Sequence, residues 1–233
     1  MLFNFSNIIW GVSEKKDGSM KLFKDQEPEE NILNRENFFR LRQIENSRVI
    51  SAENTHGINI SRVSVLEGGR MIDNVDGLLT RDKAILSVTI ADCMAIFIFD
   101  PEKKAAGIVH AGWRGLARGI GKEAVKRIKE EFGSREKDLY FFVGPHLKNC
   151  HFEIKEDLME EFKHYGSGVI RRGGKYFLDM PAVLKTQLKT AGVPEKNIRI
   201  SGKCTHCLDS KYFSFRREKA KPLKAMIAYI GIK

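Results

Sequence analysis

Cys93 and His110 are the two residues whose types and spacing most directly suggest chemistry. They bracket the run CMAIFIFD, the turn PEKK and the run AAGIVH, which has the form of two strands joined by a short loop. Pro101 presets φ for that loop. With Asp100 and Ala105 flanking four loop residues, opposed positions sum to about 205, which sets His110 against Ala95 and within one alternate position of Cys93. A thiolate and an imidazole at one end of a hairpin are preferred zinc ligands. Two donors do not make a site, however. The same pair reads equally as a small buried thiol packed beside a core histidine.

The residues after His110 bear on that choice. HAGWRG leads from the strand into a helix expected to begin near Leu116, and Gly112 and Gly115 let the backbone approach closely with its amides exposed. Arg114 in this turn offers a bidentate fork for phosphate or carboxylate, or alternatively a cap for local carbonyls. Trp113 offers a flat face to a purine, or to the rim of a core.

The elements that must position these residues are those of a mixed α/β protein. Strands are expected at SRVISAEN, AILSVTI, CMAIFIFD, AAGIVH, LYFFVG, KYFLDM, NIRISG and AMIAYIGI, and also in the N-terminal MLFNFSNIIWGVSEKK. Helices are expected at ENILNRENFFRLRQIE, GIGKEAVKRIKEEFG, EDLMEEFKHYG and MPAVLKTQLKTAG, where apolar residues recur every three or four positions. Strict βαβ alternation is absent, which argues against a doubly wound Rossmann fold. The expectation is mixed β-sheet layers flanked by helices. No repeat or linker divides the chain, so residues 1–233 read as a single domain.

Composition narrows the setting. A hydrophobic fraction of 42% can fill a core, and four cysteines at positions 93, 150, 204 and 207 are too few and too clustered for a secreted disulfide framework. There is no signal-peptide pattern and no stretch of roughly 18 uninterrupted apolar residues, so a cytoplasmic location and no membrane span are expected. The net charge of +10 attracts polyanions. Lys and Arg are nevertheless dispersed among Asp and Glu without interleaved aromatics, which argues against nucleic acid and for a solvated, heat-tolerant surface.

NVDGLLT (74 to 80), ADC (91 to 93), HAGWRG (110 to 115), GPHLKNCHFE (144 to 153), FLD (177 to 179), CT (204 to 205) and FSFRR (213 to 217) together resemble the laccase-domain purine nucleoside phosphorylase family, first described as multicopper polyphenol oxidoreductases. The resemblance implies a zinc site of His, Cys, His, which falls here on His56, Cys93 and His110 and leaves one tetrahedral position open. It implies phosphorolysis of adenosine, inosine, guanosine and methylthioadenosine to base and ribose 1-phosphate, with adenosine deamination at the same site. It also implies that Asn34 and Arg35 lie on an early helix that reaches the substrate, Arg35 being the anion or nucleoside contact; by itself Arg35 is one arginine on an amphipathic helix. Asp92 is a candidate general base, or a partner of a ligating histidine. Asp76 is either a site residue or a turn former before Gly77.

Two departures stand out. His146 replaces the family's small apolar residue, and THG replaces Gln-Val-His-Gly. His146 forms a local cluster with Cys150 and His151 that can crowd the pocket or take up metal adventitiously. Cys204 and Cys207, in CTHC, read as a redox-inert pair, with a structural zinc half-site completed by Cys150 or His151 as the competing reading. Copper can substitute at the main site. The older phenol-oxidase name fits less well, because a multicopper oxidase needs about ten histidines, many in His-x-His pairs. This chain has six and no such pair.

Overall fold

The run 94–99 is apolar at every position because both of its faces are covered, and this governs the architecture. In a computed structural model, which describes residues 5–22 and 28–233, the elements in order are β1 (Ile8–Val12), α1 (Glu29–Arg40), β2 (Val49–Ala52), β3 (Ile60–Arg62), β4 (Met71–Ile72), β5 (Gly77–Thr80), β6 (Ile85–Ile90), β7 (Met94–Asp100) and β8 (Ala105–Ala111). They continue with α2 (Trp113–Ala117), α3 (Ile120–Phe132), β9 (Tyr140–Val143), β10 (Glu153–Ile154), α4 (Glu156–Phe162), β11 (Val169–Arg172), β12 (Lys175–Leu178), α5 (Met180–Thr190), β13 (Ile198–Ile200), α6 (Phe215–Glu218) and β14 (Met226–Ile232).

Two large mixed sheets pack face to face. One has the order β1-β14-β6-β2-β4 and the other β13-β9-β7-β8-β5-β3, while β10-β12-β11 forms a small third sheet. Successive strand residues point to opposite faces, so β7 divides cleanly. Ala95, Phe97 and Phe99 enter the core between the large sheets, beside Leu86, Val88, Ala228 and Ile230. Met94, Ile96 and Ile98 face α3 and α5, through Ala124, Ile128, Leu184 and Leu188. On the far side, Phe38 and Phe39 of α1 cover β6 and β14 at Ile85, Ile227 and Tyr229. The layers are therefore helix, sheet, sheet, helix, which matches the expected mixed sheet layers flanked by helices.

All the expected strands form among the described residues, most somewhat shorter than their apolar runs, while β8 runs one residue past His110 to Ala111 and the N-terminal strand is confined to Ile8–Val12. β3, β4, β10 and β11 carry too little apolar alternation to announce themselves; they are short or largely exposed and are held by their neighbours. Three helices differ from expectation, the first of them α1, which ends at Arg40 rather than near Glu45. The segment after His110 turns helical at Trp113 for five residues and breaks at Gly119, which adopts φ 84° before α3 begins. α4 ends at Phe162, and its expected last turn becomes a 3-10 segment. No helix among the described residues is long and apolar enough to cross a membrane.

Phe97 stacks on Phe142 at 5.6 Å between ring centroids and meets Trp10 edge-on at 5.5 Å, so it anchors the inter-sheet core. Phe97→Ala is expected to cost about 3–5 kcal/mol of folding stability in urea denaturation. A loss under about 1 kcal/mol would show that this core re-forms without it.

Candidate metal centre

The hairpin register places Ala95 opposite His110, Met94 opposite Ala111 and Asp100 opposite Ala105, as the four-residue loop requires. The loop is closed by the Asp100 carboxylate, which accepts from the amides of Glu102 (2.9 Å) and Lys103 (3.0 Å). Cys93 precedes β7 and His110 is the penultimate residue of β8, so the hairpin brings both to one end of the sheet.

His56 joins them from a third segment. His56 Nε2 lies 4.0 Å from Cys93 Sγ, and its ring meets that of His110 edge-on at 4.9 Å. One donor atom from each of His56, Cys93 and His110 lies within 4.8 Å of the others. His56 is exposed, Cys93 partly buried and His110 buried, so the group opens to solvent on one side.

Asp76 organises the cluster. It is fully buried, yet its carboxylate accepts from His110 Nδ1 (2.9 Å), the amides of His56 (2.9 Å), Gly57 (2.7 Å) and Thr55 (3.3 Å), and the Thr55 hydroxyl (2.8 Å). Burial alone pushes its pKa up, but these donors, led by His110, hold it below the usual carboxylate value. The bond to Nδ1 leaves Nε2 of His110 free to ligate, the usual arrangement behind a metal-binding histidine. The same carboxylate fixes the THG backbone, where His56 sits at φ 59°, a left-handed conformation that a non-glycine residue adopts only under constraint. Asp76 is thus a site residue rather than a simple turn former.

Electrostatics suit a cation. Burial pushes the Cys93 thiol up, but the charge and hydrogen bond of His110, together with His56, outweigh it and bring the thiol down to about 6. Burial pushes His110 down, but Cys93 and Asp76 outweigh it and raise the imidazole to about 9. Without a metal the cluster therefore settles as a thiolate beside an imidazolium, and a divalent cation would displace that proton. One thiolate and two imidazoles, with a carboxylate behind one of them, fit a borderline-soft ion such as zinc.

The glycines of HAGWRG serve close approach. A Cβ on Gly112 would lie 2.9 Å from His56 Cδ2 and 3.1 Å from Cys93 Sγ, and one on Gly115 would lie 2.8 Å from the Gly57 carbonyl. Any side chain at Gly112 therefore displaces two donors. Arg114 on α2 is exposed, lies over the Trp113 ring at 4.2 Å and pairs with no carboxylate among the described residues. Because α2 is a single short turn, its N-terminus contributes less to anion binding than the longer expected helix would.

The other expected residues lie as follows. Asp92, at φ 87°, is buried and accepts from Thr205 Oγ1 (2.6 Å) and the Arg216 amide (2.6 Å). The histidine partner is Asp76, not Asp92. Thr205 and Arg216 come from a distant segment, and only CT and FSFRR in the sequence pointed to it. Arg35 is buried on α1, donates to the Met20 carbonyl and the Ser51 hydroxyl, and lines a cleft with Lys21 and Thr89. His146 is fully buried with Nδ1 bonded to the Gly144 carbonyl (2.8 Å), so it crowds no pocket opening.

Residues 4–233 match the family model described as multi-copper polyphenol oxidoreductase laccase. The chain is 30% identical over 198 residues to the purine nucleoside phosphorylase YlmD of Geobacillus stearothermophilus, covering 79% of this chain and 72% of that protein. It is 27% identical to the purine nucleoside phosphorylase YlmD of Bacillus subtilis, covering all of this chain and 89% of that one. The crystal structure of YlmD from Geobacillus stearothermophilus superposes with a TM-score of 0.92 at 26% identity, covering 98% of this chain and 93% of that one. The chain belongs to the laccase-like multi-copper polyphenol oxidoreductase family, whose relatives here are named purine nucleoside phosphorylases.

Proposed function

We propose that this protein is a zinc-dependent purine nucleoside phosphorylase that converts adenosine, inosine, guanosine or methylthioadenosine and phosphate to free base and the sugar 1-phosphate, and that it also deaminates adenosine at the same site. The carrying observation is the three-donor cluster of His56, Cys93 and His110, open on one side and oriented by Asp76. The names of the curated relatives supply the substrate class. Bound by three protein donors, zinc supplies Lewis acidity at one remaining coordination position.

The chain's own residues do the rest. Asp76 keeps His110 in the tautomer that ligates through Nε2. Asp92, next to Cys93, is assigned the proton-handling role. Thr205 and Arg216 fix its two oxygens, and each oxygen keeps lone-pair capacity for a substrate proton. Trp113 offers a face to the purine, and Arg114 offers a guanidinium to phosphate. Arg35 is assigned a second anion contact, since it and Lys21 place two cationic side chains along one cleft.

In phosphorolysis a phosphate oxygen bonds to C1′ as the glycosidic C–N bond breaks, and the base leaves with a proton. In deamination water adds at C6 and ammonia leaves. Both reactions need a nucleophile, a proton acceptor and stabilisation of developing charge, which these residues can serve. Copper would accept the same donors. Even so, one thiolate and two imidazoles do not build the histidine-rich cluster that multicopper oxidation requires.

Cys93→Ala is expected to remove the metal of this cluster together with turnover of adenosine and inosine, read by product analysis with and without phosphate. Full activity in a Cys93→Ala protein lacking metal at this cluster contradicts the proposal. Metal analysis of protein prepared without added copper is expected to find zinc.

Arg114→Ala is expected to raise KM for phosphate about tenfold, with a smaller effect on the water-dependent deamination. Arg35→Ala is expected to weaken phosphate use and also lower thermal stability, because its guanidinium braces α1 against β2. Equal losses in both reactions for Arg114→Ala would remove phosphate binding from its role.

A further inference from the structure

Cys150, His151, Cys204 and Cys207 form a second convergence of soft donors, separate from the cluster at His56. One donor atom from each lies within 4.8 Å of the other three. Cys150 Sγ is 3.7 Å from both Cys204 Sγ and Cys207 Sγ, and His151 Nδ1 is 3.2 Å from Cys150 Sγ and 3.3 Å from Cys207 Sγ. A tetrahedral zinc with bonds of about 2.3 Å to sulfur and about 2.0 Å to nitrogen separates its sulfurs by about 3.8 Å and sulfur from nitrogen by about 3.5 Å. The observed edges are close to those of such an ion. They are far from the roughly 2.05 Å of a disulfide, and all four cysteines of the chain are free thiols.

The surrounding chain is built to hold this geometry. The CTHC segment turns back on itself, with the Leu208 amide donating to the Cys204 carbonyl (3.1 Å), so both of its sulfurs reach one point. The backbone around Cys204 pairs with that around His146, and the Thr205 amide donates to the His146 carbonyl at 3.0 Å, which brings Cys150 and His151 alongside. The His151 ring stacks on His206 at 3.9 Å and 15°, which fixes its plane with Nδ1 turned to the sulfurs. Cys204 is buried, Cys150 partly buried, and Cys207 and His151 lie at the surface.

We propose that Cys150, His151, Cys204 and Cys207 bind a structural zinc ion that clamps the 146–151 loop to the 204–217 segment. Four protein donors close the coordination sphere, so this ion has no position for substrate, in contrast to the three-donor cluster. Its consequence reaches the other site through one residue between them. Thr205, flanked by the CTHC ligands, and Arg216 farther along the same segment hold the two oxygens of Asp92, which adjoins Cys93. The clamp thereby positions one wall of the catalytic cluster.

The test is metal stoichiometry on the intact chain, and it stands whatever the reaction at His56 proves to be. A His56→Ala/Cys93→Ala double variant is expected to retain about one zinc per chain, and Cys207→Ser is expected to remove about one from the otherwise unaltered protein. Cys207 is exposed, so its replacement leaves the core intact. In the native protein Cys150, Cys204 and Cys207 are expected to resist iodoacetamide until a chelator is added. The melting midpoint is expected to fall by about 5 °C or more with the chelator in the double variant. Absence of zinc from the double variant, an unchanged zinc content in Cys207→Ser, iron in place of zinc, or a Cys204–Cys207 disulfide in the isolated protein would each overturn the proposal.

Discussion

One buried carboxylate organises the end of this molecule where His56, Cys93 and His110 meet. Asp76 has no solvent exposure, and its charge is stabilised only because five groups donate to it: three consecutive amides of the 55–57 turn, the Thr55 hydroxyl and the His110 imidazole. Each donor also receives its position from the carboxylate. The turn that puts His56 at positive φ and the tautomer that exposes Nε2 of His110 therefore share a single cause. Asp76 itself stands at the entry to β5, whose antiparallel partner β8 carries His110, and the His110 amide donates to the Asp76 carbonyl at 2.6 Å. Backbone pairing and side-chain pairing thus set the same register.

The sheets explain why three distant segments meet there. β2 and β6 run parallel in one sheet, so the segments leaving them, toward His56 and Cys93, emerge at the same end. The chain then crosses from β6 into β7 of the second sheet within four residues, and Asp92 takes φ 87° in that crossing. Such a conformation needs outside support, and Thr205 and Arg216 supply it. The His56, Cys93 and His110 cluster thus depends on Asp76, which holds the 55–57 turn and His110, and on a strained crossing at Asp92 held by the 204–217 segment.

What the sequence made legible follows sequence distance. Cys93 and His110 were predictable neighbours because a hairpin with a four-residue loop has one register, and the structure has that register. The apolar run of β7 was legible as a strand, whereas its burial on both faces follows from the layers that cover it. His56 was visible only through family resemblance, since its placement depends on Asp76, twenty residues away and acting through amides that no sequence pattern displays. Asp92 was recognised as important, but its partners lie more than one hundred residues downstream. The CTHC element shows the same limit, because two cysteines are only half of a metal site until tertiary structure delivers Cys150 and His151.

Whether Asp76 organises a metal centre is read from the zinc affinity of Asp76→Asn by chelator competition, made in a Cys207→Ser background so that only the His56, Cys93 and His110 cluster is read. Asparagine can still accept from the turn amides through its carbonyl, but it lacks the charge and the second acceptor oxygen that hold His110. The affinity is expected to fall about 10- to 100-fold. An affinity within about twofold of the parent would contradict the account, because His56, Cys93 and His110 would then be positioned without the carboxylate.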